Sequence, residues 1–358
     1  MPAKSRMWTG TVRMKNQPLR PRPGAPDSEQ KHPSPGSGPI WLLRLGAGGL
    51  FLSLMLAGCA SRDTILKASP TSSAASALGE ELLAPGITHR AIPTGNNSGI
   101  DVIDSDLDAS RARWSIQTQG VTLAGGHVVG QSYTPRDWMI RKHGLAAVNG
   151  GYFGLVEDAL GRKDFVGLLV QRGKVRHAAP PLAGRGSPTI PRGHYIRSAF
   201  GLTPGGQPRI VWAATRPGNS QAIDTYDDPM GKPHSSWHIA QAVGCGPMLI
   251  SAGSIVVTDS RERLVSPGPR PRTFVAYDYE NGKPKHLLVG TASASDFPSL
   301  ATWIAKYFRQ YHGTRAIAAM CLDGGGSTQM SYKLHGTLQS PRATGVTVPD
   351  ALVLLPAR

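Results

Sequence analysis

Two stretches of this chain, far apart in sequence, repeat one plan, and that plan narrows the available folds more than any other feature. In the first, Thr134 stands where it can cap a helix with Pro135 at its first position. His143 and Gly144 stop that helix, and the small apolar string L-A-A-V runs into Asn149-Gly150-Gly151-Tyr152-Phe153. In the second, Leu300, Trp303, Ile304, Tyr307, Phe308 and Tyr311 fall at helical spacing, and His312 with Gly313 ends the helix. The string A-I-A-A-M-C-L then leads into Asp323-Gly324-Gly325-Gly326. Each stretch is a helix, a glycine stop, a buried strand of small residues, then Asn or Asp followed by glycines. With the two strands near each other in one sheet, Asn149 and Asp323 converge at their carboxyl ends, where α/β sheets place ligands. The aromatic stripe of the second helix reads as core.

The string C-L-D-G-G-G-S-T delivers one carboxylate, Asp323, beside backbone without side chains, where a ligand can approach N–H groups closely. A tight turn capped by Asp would use the same residues. Elsewhere, Gly244, Gly246 and Pro247 interrupt the apolar run A-V-G-C-G-P-M-L-I, which suggests a bulge or a close approach of backbone to ligand. The loop S-P-G-P-R-P-R-T then presents Arg272 and Thr273 ahead of the strand F-V-A-Y. An arginine offers a planar fork of donors to phosphate oxygens, and flanking prolines stiffen its loop. Arg270 reads as a solvated loop residue.

The amino terminus reads as an export signal. A basic, Pro-rich stretch precedes an apolar run from Leu45 to Leu56, which is short for a membrane span. The junction Leu56-Ala57-Gly58-Cys59 is similar to a bacterial lipobox, with Cys59 as the lipidated residue. Residues 1–58 then form the signal peptide, 59–86 a Ser-, Ala- and Thr-rich tether, and 87–358 the folded domain. This predicts a periplasm-facing lipoprotein of the bacterial cell envelope, in the outer membrane and held there by its N-terminal lipid.

Composition bears on partners and architecture. With 43 glycines, 30 prolines and 6% aromatics, short strands and turns are favoured over a helical bundle. The leader carries six of the sixteen net positive charges, and the basic remainder suits anionic substrates or membrane surfaces as well as nucleic acid. A basic surface protein using Arg185, Arg192, Arg261, Arg263 and Arg270 is a third reading, but no nucleic-acid motif accompanies those arginines, and a nucleic-acid partner is not expected. Cys245 and Cys321 are the cysteines of the exported part, and an oxidising compartment permits but does not require their pairing. No His flanks Cys321 to activate it as a nucleophile. The scattered histidines show no ligand spacing, so neither a zinc site nor a cofactor is expected.

Taken in order, N-G-G-Y-F, C-G-P-M-L, P-R-T and L-D-G-G-G-S resemble the phosphodiester glycosidase family, which includes the lysosomal uncovering enzyme. The resemblance spans Ile100 to Leu354 and includes the closing string V-P-D-A-L-V-L-L. It implies an α+β fold, a mixed β-sheet core with flanking helices, forming a single large catalytic domain. It also implies a cleft holding Asn149, Gly150, Phe153, Gly246, Pro247, Arg272, Thr273, Asp323, Gly324, Gly325 and Ser327, and Gly326 of the same string is read as substrate-binding with them. The chain departs from the family pattern at Gly154 where Asp is frequent, at Ala276 and Tyr277 where Gly is common, and at Cys245 where Ser or Gly is usual.

Cleaving a sugar from a phosphodiester passes through an oxocarbenium-like transition state, so a carboxylate is needed near the anomeric carbon, and Asp323 is the candidate. Phosphate leaves readily, which shifts the burden from a strong general acid to binding the developing phosphate charge by Arg272 and the N–H groups of Gly324 to Gly326. Asn149 would orient a sugar hydroxyl or the attacking water. A second carboxylate could come from Glu157, Asp158, Asp164, Asp224 or Asp228. The expected substrate is a phosphorylated glycan or sugar phosphodiester of envelope or exopolysaccharide metabolism. The alternative is a glycan-binding lipoprotein that keeps the cleft without turnover, a reading that Gly154 motivates.

Overall fold

A computed structural model describes residues 79–95, 98–179, 196–264 and 268–357. The export signal, Cys59, most of the expected tether, Arg185 and Arg192 lie outside these residues. The described fold opens within the range read as tether, because the strand Glu80–Ala84 pairs with Ile87–Gly95.

The architecture corrects the α+β expectation. Among the described residues there are two α-helices, and the strands form four sheets of eight, seven, five and four strands. Every strand pairing described is antiparallel. The reason is in the chain itself. A parallel pair needs a crossover of a dozen or more residues, usually a helix, and the described residues offer two helical segments. Elsewhere consecutive strands are joined by tight turns in which glycines at positive φ are frequent, such as Gly173, Gly206, Gly218 and Gly282.

The first helix, α1 (Pro135–Arg141), starts as expected: Thr134 Oγ1 accepts from the Asp137 N–H at 3.2 Å, with proline in the first turn. It buries Trp138 and Met139 on Ala147, Ala351 and Val353 of the five-stranded sheet. The second, α2 (Phe297–His312), is capped by Asp296, which accepts from the Ser299 N–H at 2.8 Å, and ends at Gly313 with φ +67°. Its stripe of Leu300, Ile304, Tyr307 and Phe308 is buried on Val102, Leu249, Phe274 and Leu288 of the eight-stranded sheet. Each such side chain contributes about 1.5–3 kcal/mol by leaving water.

Burial on both faces explains the strands that carry the site. In Arg270–Glu280, Phe274 and Ala276 pack beneath α2, while Val275 and Tyr277 turn into the larger core. In Ala316–Cys321, Ala319 and Cys321 face α2, while Ala318 and Met320 face the same larger core. The small-residue strands expected from sequence are therefore central ones. No helix among the described residues is long and apolar enough to cross a membrane.

Candidate active site

Asn149 and Asp323 do meet, but from different sheets. Asn149 ends the strand Ala146–Asn149 of the five-stranded sheet, and Asp323 follows Ala316–Cys321 of the eight-stranded one. The join is made by backbone and by one amide. The Asp323 N–H donates to Gly150 O at 3.1 Å, and Asn149 Nδ2 donates to Asp323 O at 2.7 Å. Asn149 Oδ1 accepts from Thr273 Oγ1 at 2.7 Å and from the Gln329 N–H at 3.2 Å. Asn149 and Thr273 are both fully buried. Their polar atoms thus hold three chain segments in register, and Asn149 ties down the backbone of Asp323.

A third sheet arrives through Gly246. The strand Gln241–Cys245 belongs to the seven-stranded sheet, and beyond it the Gly246 N–H donates to Cys321 O at 3.1 Å. The Gly246–Pro247 peptide is cis. Tyr152 closes over this junction, its hydroxyl donating to Gly246 O at 2.7 Å. Burial pushes the Tyr152 phenol well above its usual range, as do Cys245 and Asp323, while Arg197 opposes them.

Asp323 is partly exposed, and Gly326 beyond it is exposed. Its Oδ1 accepts from the Gly324 N–H at 2.9 Å. Burial raises its carboxyl to about 6, against hydrogen bonds from Ser327 and Gly324 that favour the ionised form. Gly325, at φ +60°, opens a short 3₁₀ turn through Ser327. A side chain at Gly324 would be tightly placed, its Cβ 3.1 Å from Pro271 O and 3.9 Å from the Arg272 guanidinium. Arg272 is therefore beside the triple glycine. Its guanidinium lies over Phe297, 3.9 Å from the ring centre, and its Nε donates to Ser295 O at 3.1 Å.

A carboxyl that feels the charge of Asp323 is one the sequence reading missed. Asp350 begins the last strand, Asp350–Leu355, beside Ala146–Asn149. It is buried, and its Oδ1 accepts from the Gly151 N–H at 2.7 Å. Burial raises its carboxyl to about 7, and the charge of Asp323 adds to that rise. A Cβ at Gly150 would collide with this carboxylate, which accounts for a glycine there. A carboxylate opening the wholly apolar string A-L-V-L-L was the available signal.

Four of the five carboxylates proposed as a second member are paired elsewhere, and the fifth, Asp164, keeps a buried Oδ1 with no hydrogen-bond partner among the described residues. Glu157 faces Lys163 at 3.7 Å, Asp158 pairs with Arg162 at 2.7 Å, Asp224 with Arg216 at 2.6 Å, and Asp228 with Arg261. Asp164 lies against Gly154, where a Cβ would collide with it, and its Oδ2 is 3.7 Å from His127 Nδ1. The departure at Gly154 therefore leaves a carboxylate in that neighbourhood, supplied by the adjacent strand. Phe153 packs with Trp138 and Val353 near α1, with the Lys163 ammonium 5.1 Å from its ring centre. The contacts of Phe153 are with that cluster and not with Asp323.

Glu262 is a further missed residue. It sits between Arg261 and Arg263, a setting that reads as solvated charge, yet it is fully buried. It accepts from the Ser198 N–H at 2.9 Å, Ser198 Oγ at 2.6 Å, Trp212 Nε1 at 3.0 Å, the Met248 N–H at 3.0 Å and Thr258 Oγ1. It thereby braces the turn at Gly246. Cys245 and Cys321 are buried free thiols. Burial pushes the Cys245 thiol well up and that of Cys321 to about 12, which removes either as a nucleophile near neutral pH.

A family model described as phosphodiester glycosidase matches residues 142–355, from the end of α1 through the Asn149, Arg272 and Asp323 strings to the final strand. The chain belongs to the phosphodiester glycosidase family. The family is described by cleavage of glycosyl phosphodiesters. No curated protein matches the chain. Among solved structures, a hypothetical protein from Synechocystis overlays with a TM-score of 0.42 at 14% identity, over 75% of this chain and 61% of that one. This chain thus spans under two thirds of that protein. A Burkholderia pseudomallei K96243 protein described as exported overlays with a TM-score of 0.47 at 15% identity, over 72% of this chain and 74% of that one.

Proposed function

We propose that this protein is an exported, lipid-anchored hydrolase that cleaves the glycosyl–phosphate bond of sugar phosphodiesters in envelope or exopolysaccharide metabolism. The observation that carries the reading is a partly exposed carboxylate, Asp323, backed by the buried carboxyl of Asp350 and flanked by Arg272 at a glycine-lined opening. With its carboxyl near 6, Asp323 is mostly ionised at neutral pH and can stabilise positive charge at the anomeric carbon or activate water there. Arg272 and the peptide N–H groups of Gly325 and Gly326 receive the departing phosphate, where one preorganised donor is worth about 3–4 kcal/mol of barrier. Asn149, Thr273 and Asp350 act through Asp323 by fixing its strand end.

The test is release of free sugar from a panel of sugar-1-phosphodiesters, including nucleotide sugars, by the full chain and by Asp323→Asn. Turnover by the parent, with a loss of at least about 100-fold in a variant of unchanged melting temperature, is expected. Equal turnover by the variant would remove Asp323 from the chemistry. A folded parent inert across the panel, yet retaining glycans, would make it a binding lipoprotein. Anchoring is tested separately: Cys59→Ser should move the protein from the membrane to the soluble fraction.

A further inference from the structure

A groove of about 790 Å³ runs between the Arg113–Thr118 edge strand of the five-stranded sheet and the hairpin of Leu169–Gln171 and Lys174–His177 in the seven-stranded sheet. None of its lining residues belongs to the site around Asp323. Five cations line it, Arg113, Lys142, Arg172, Lys174 and Arg176, and no carboxylate does. None of the five forms an ion pair among the described residues. The chain around them withholds counter-charge, with no Asp or Glu from 109 to 136 or from 165 to 223. Such a concentration of one sign raises the local concentration of anions.

The floor between the two sheets is polar and tied together. The Ile116 N–H donates to Gln241 Oε1 at 2.9 Å, Gln241 Nε2 donates to Ser115 Oγ at 3.1 Å, and Gln171 Nε2 donates to Thr118 Oγ1. Gln117 and Gln119 add amides along one wall. At the rim, Arg172 adopts φ +50° in the two-residue turn Arg172-Gly173. Such turns favour Asn or Gly at this position, so an arginine held left-handed at the mouth of a basic groove points to a use for its charge.

We propose that this groove binds the anionic chain of a linear glycan, as a subsite separate from the reaction centre. Amides suit sugar hydroxyls and the cations suit phosphate or carboxylate substituents. No aromatic residue lines the groove among the described residues, so the described lining offers no platform for the base stacking on which single-stranded nucleic acid binding relies. The purpose of such a subsite, holding a polymer whose phosphodiester is cut elsewhere, rests on the proposed activity. Binding itself does not.

The test measures binding of the full chain to phosphomannan, polygalacturonate, neutral dextran and an oligo-dT strand. Retention of an anionic glycan, weakened by salt and about tenfold tighter than dextran or oligo-dT, is expected. Phosphomannan against polygalacturonate tells phosphate from carboxylate recognition. Lys174→Gln with Arg176→Gln should weaken that binding by about tenfold, while Lys306→Gln with Arg309→Gln on α2 leaves it unchanged. Arg172→Asn should raise the melting temperature and still weaken binding, which a purely structural turn would not do. Equal weakening by the α2 pair, equal retention of dextran, tighter binding of oligo-dT or no binding of either anionic glycan would overturn the proposal. Hydrolysis of a nucleotide sugar by the groove variants at the parent's rate keeps the two sites distinct. Failure of hydrolysis in the parent would sink the activity and leave the binding result standing.

Discussion

Asp323 and Asp350 differ in what surrounds them. Asp323 has two sources of donors, Ser327 and Gly324, and an opening to solvent, whereas Asp350 is buried with the Gly151 N–H and the charge of Asp323 for neighbours. The pair gives up protons in two steps, the first mainly from Asp323 and the second, mainly from Asp350, against a charge already present. A reaction that needs ionised Asp323 should therefore gain rate as pH rises through about 6. Both folded-state values lie above the ~4 of an unfolded chain, so the folded protein binds more protons, and stability falls as pH rises from about 4 through about 7. Asp350→Asn keeps an oxygen for the Gly151 N–H and removes one ionisation. At pH 8 this variant should exceed the parent's stability by on the order of 2–4 kcal/mol, and near pH 4 the two should melt alike. Melting curves at those two pH values decide it, and a variant weaker at pH 8 would contradict the burial argument.

At the scale of elements, both helices were legible because their signals are local: Thr134 and Pro135 at one start, an apolar stripe and Gly313 around the other. Strand partners are non-local, and nothing in L-A-A-V or A-I-A-A-M-C-L tells which sheet receives it. The anchoring of α2 was equally out of reach. Arg90 Nη1 donates to Asp104 Oδ2 at 2.8 Å, Tyr307 OH donates to the same oxygen at 2.7 Å, and His312 Nε2 lies 2.8 Å from it. His312 stacks on His286 with ring centres 3.7 Å apart, and His286 Nδ1 is 2.8 Å from Asp278 Oδ2. Burial alone would raise the Asp104 and Asp278 carboxyls, but their partners hold both below the usual range. Although burial opposes it, Asp278 holds the His286 imidazolium above its ordinary value. The carboxylate contributions are present above about 4 and are lost as pH falls through the lowered values. The His286 contribution is present below about 6.5 and is lost as pH rises through the raised one, so α2 is held most firmly between those limits. Asp104→Asn should cost about 3–5 kcal/mol at pH 6 and flatten the acid limb of the stability profile, read by urea unfolding at several pH values. An unchanged acid limb would show that the network does not couple to folding.

Across the whole molecule, three sheets share one seam. Asn149 comes from the five-stranded sheet, Asp323 and Thr273 from the eight-stranded one, and Gly246 follows a strand of the seven-stranded one. Motif order in the sequence marked this seam, but Asp350 and Glu262 were invisible as members because their roles depend on burial by segments distant in the chain. Glu262 accepts from both Ser198 of the seven-stranded sheet and Met248 of the eight-stranded sheet. Glu262→Ala would strand its buried donors, and about 3–5 kcal/mol of stability should go with it, together with turnover, as Gly246 and Tyr152 lose their brace. Thermal melts and initial rates on the same preparation would show both, and a variant of normal stability would rule out a bracing role. The seam also ties rate to integrity. None of these three sheets can slacken without pulling on the segments that hold Asp323, so the proposed reaction doubles as a gauge of the fold. Residual rate after heating should trace the same curve as loss of sheet ellipticity, with no inactive yet ordered form in between.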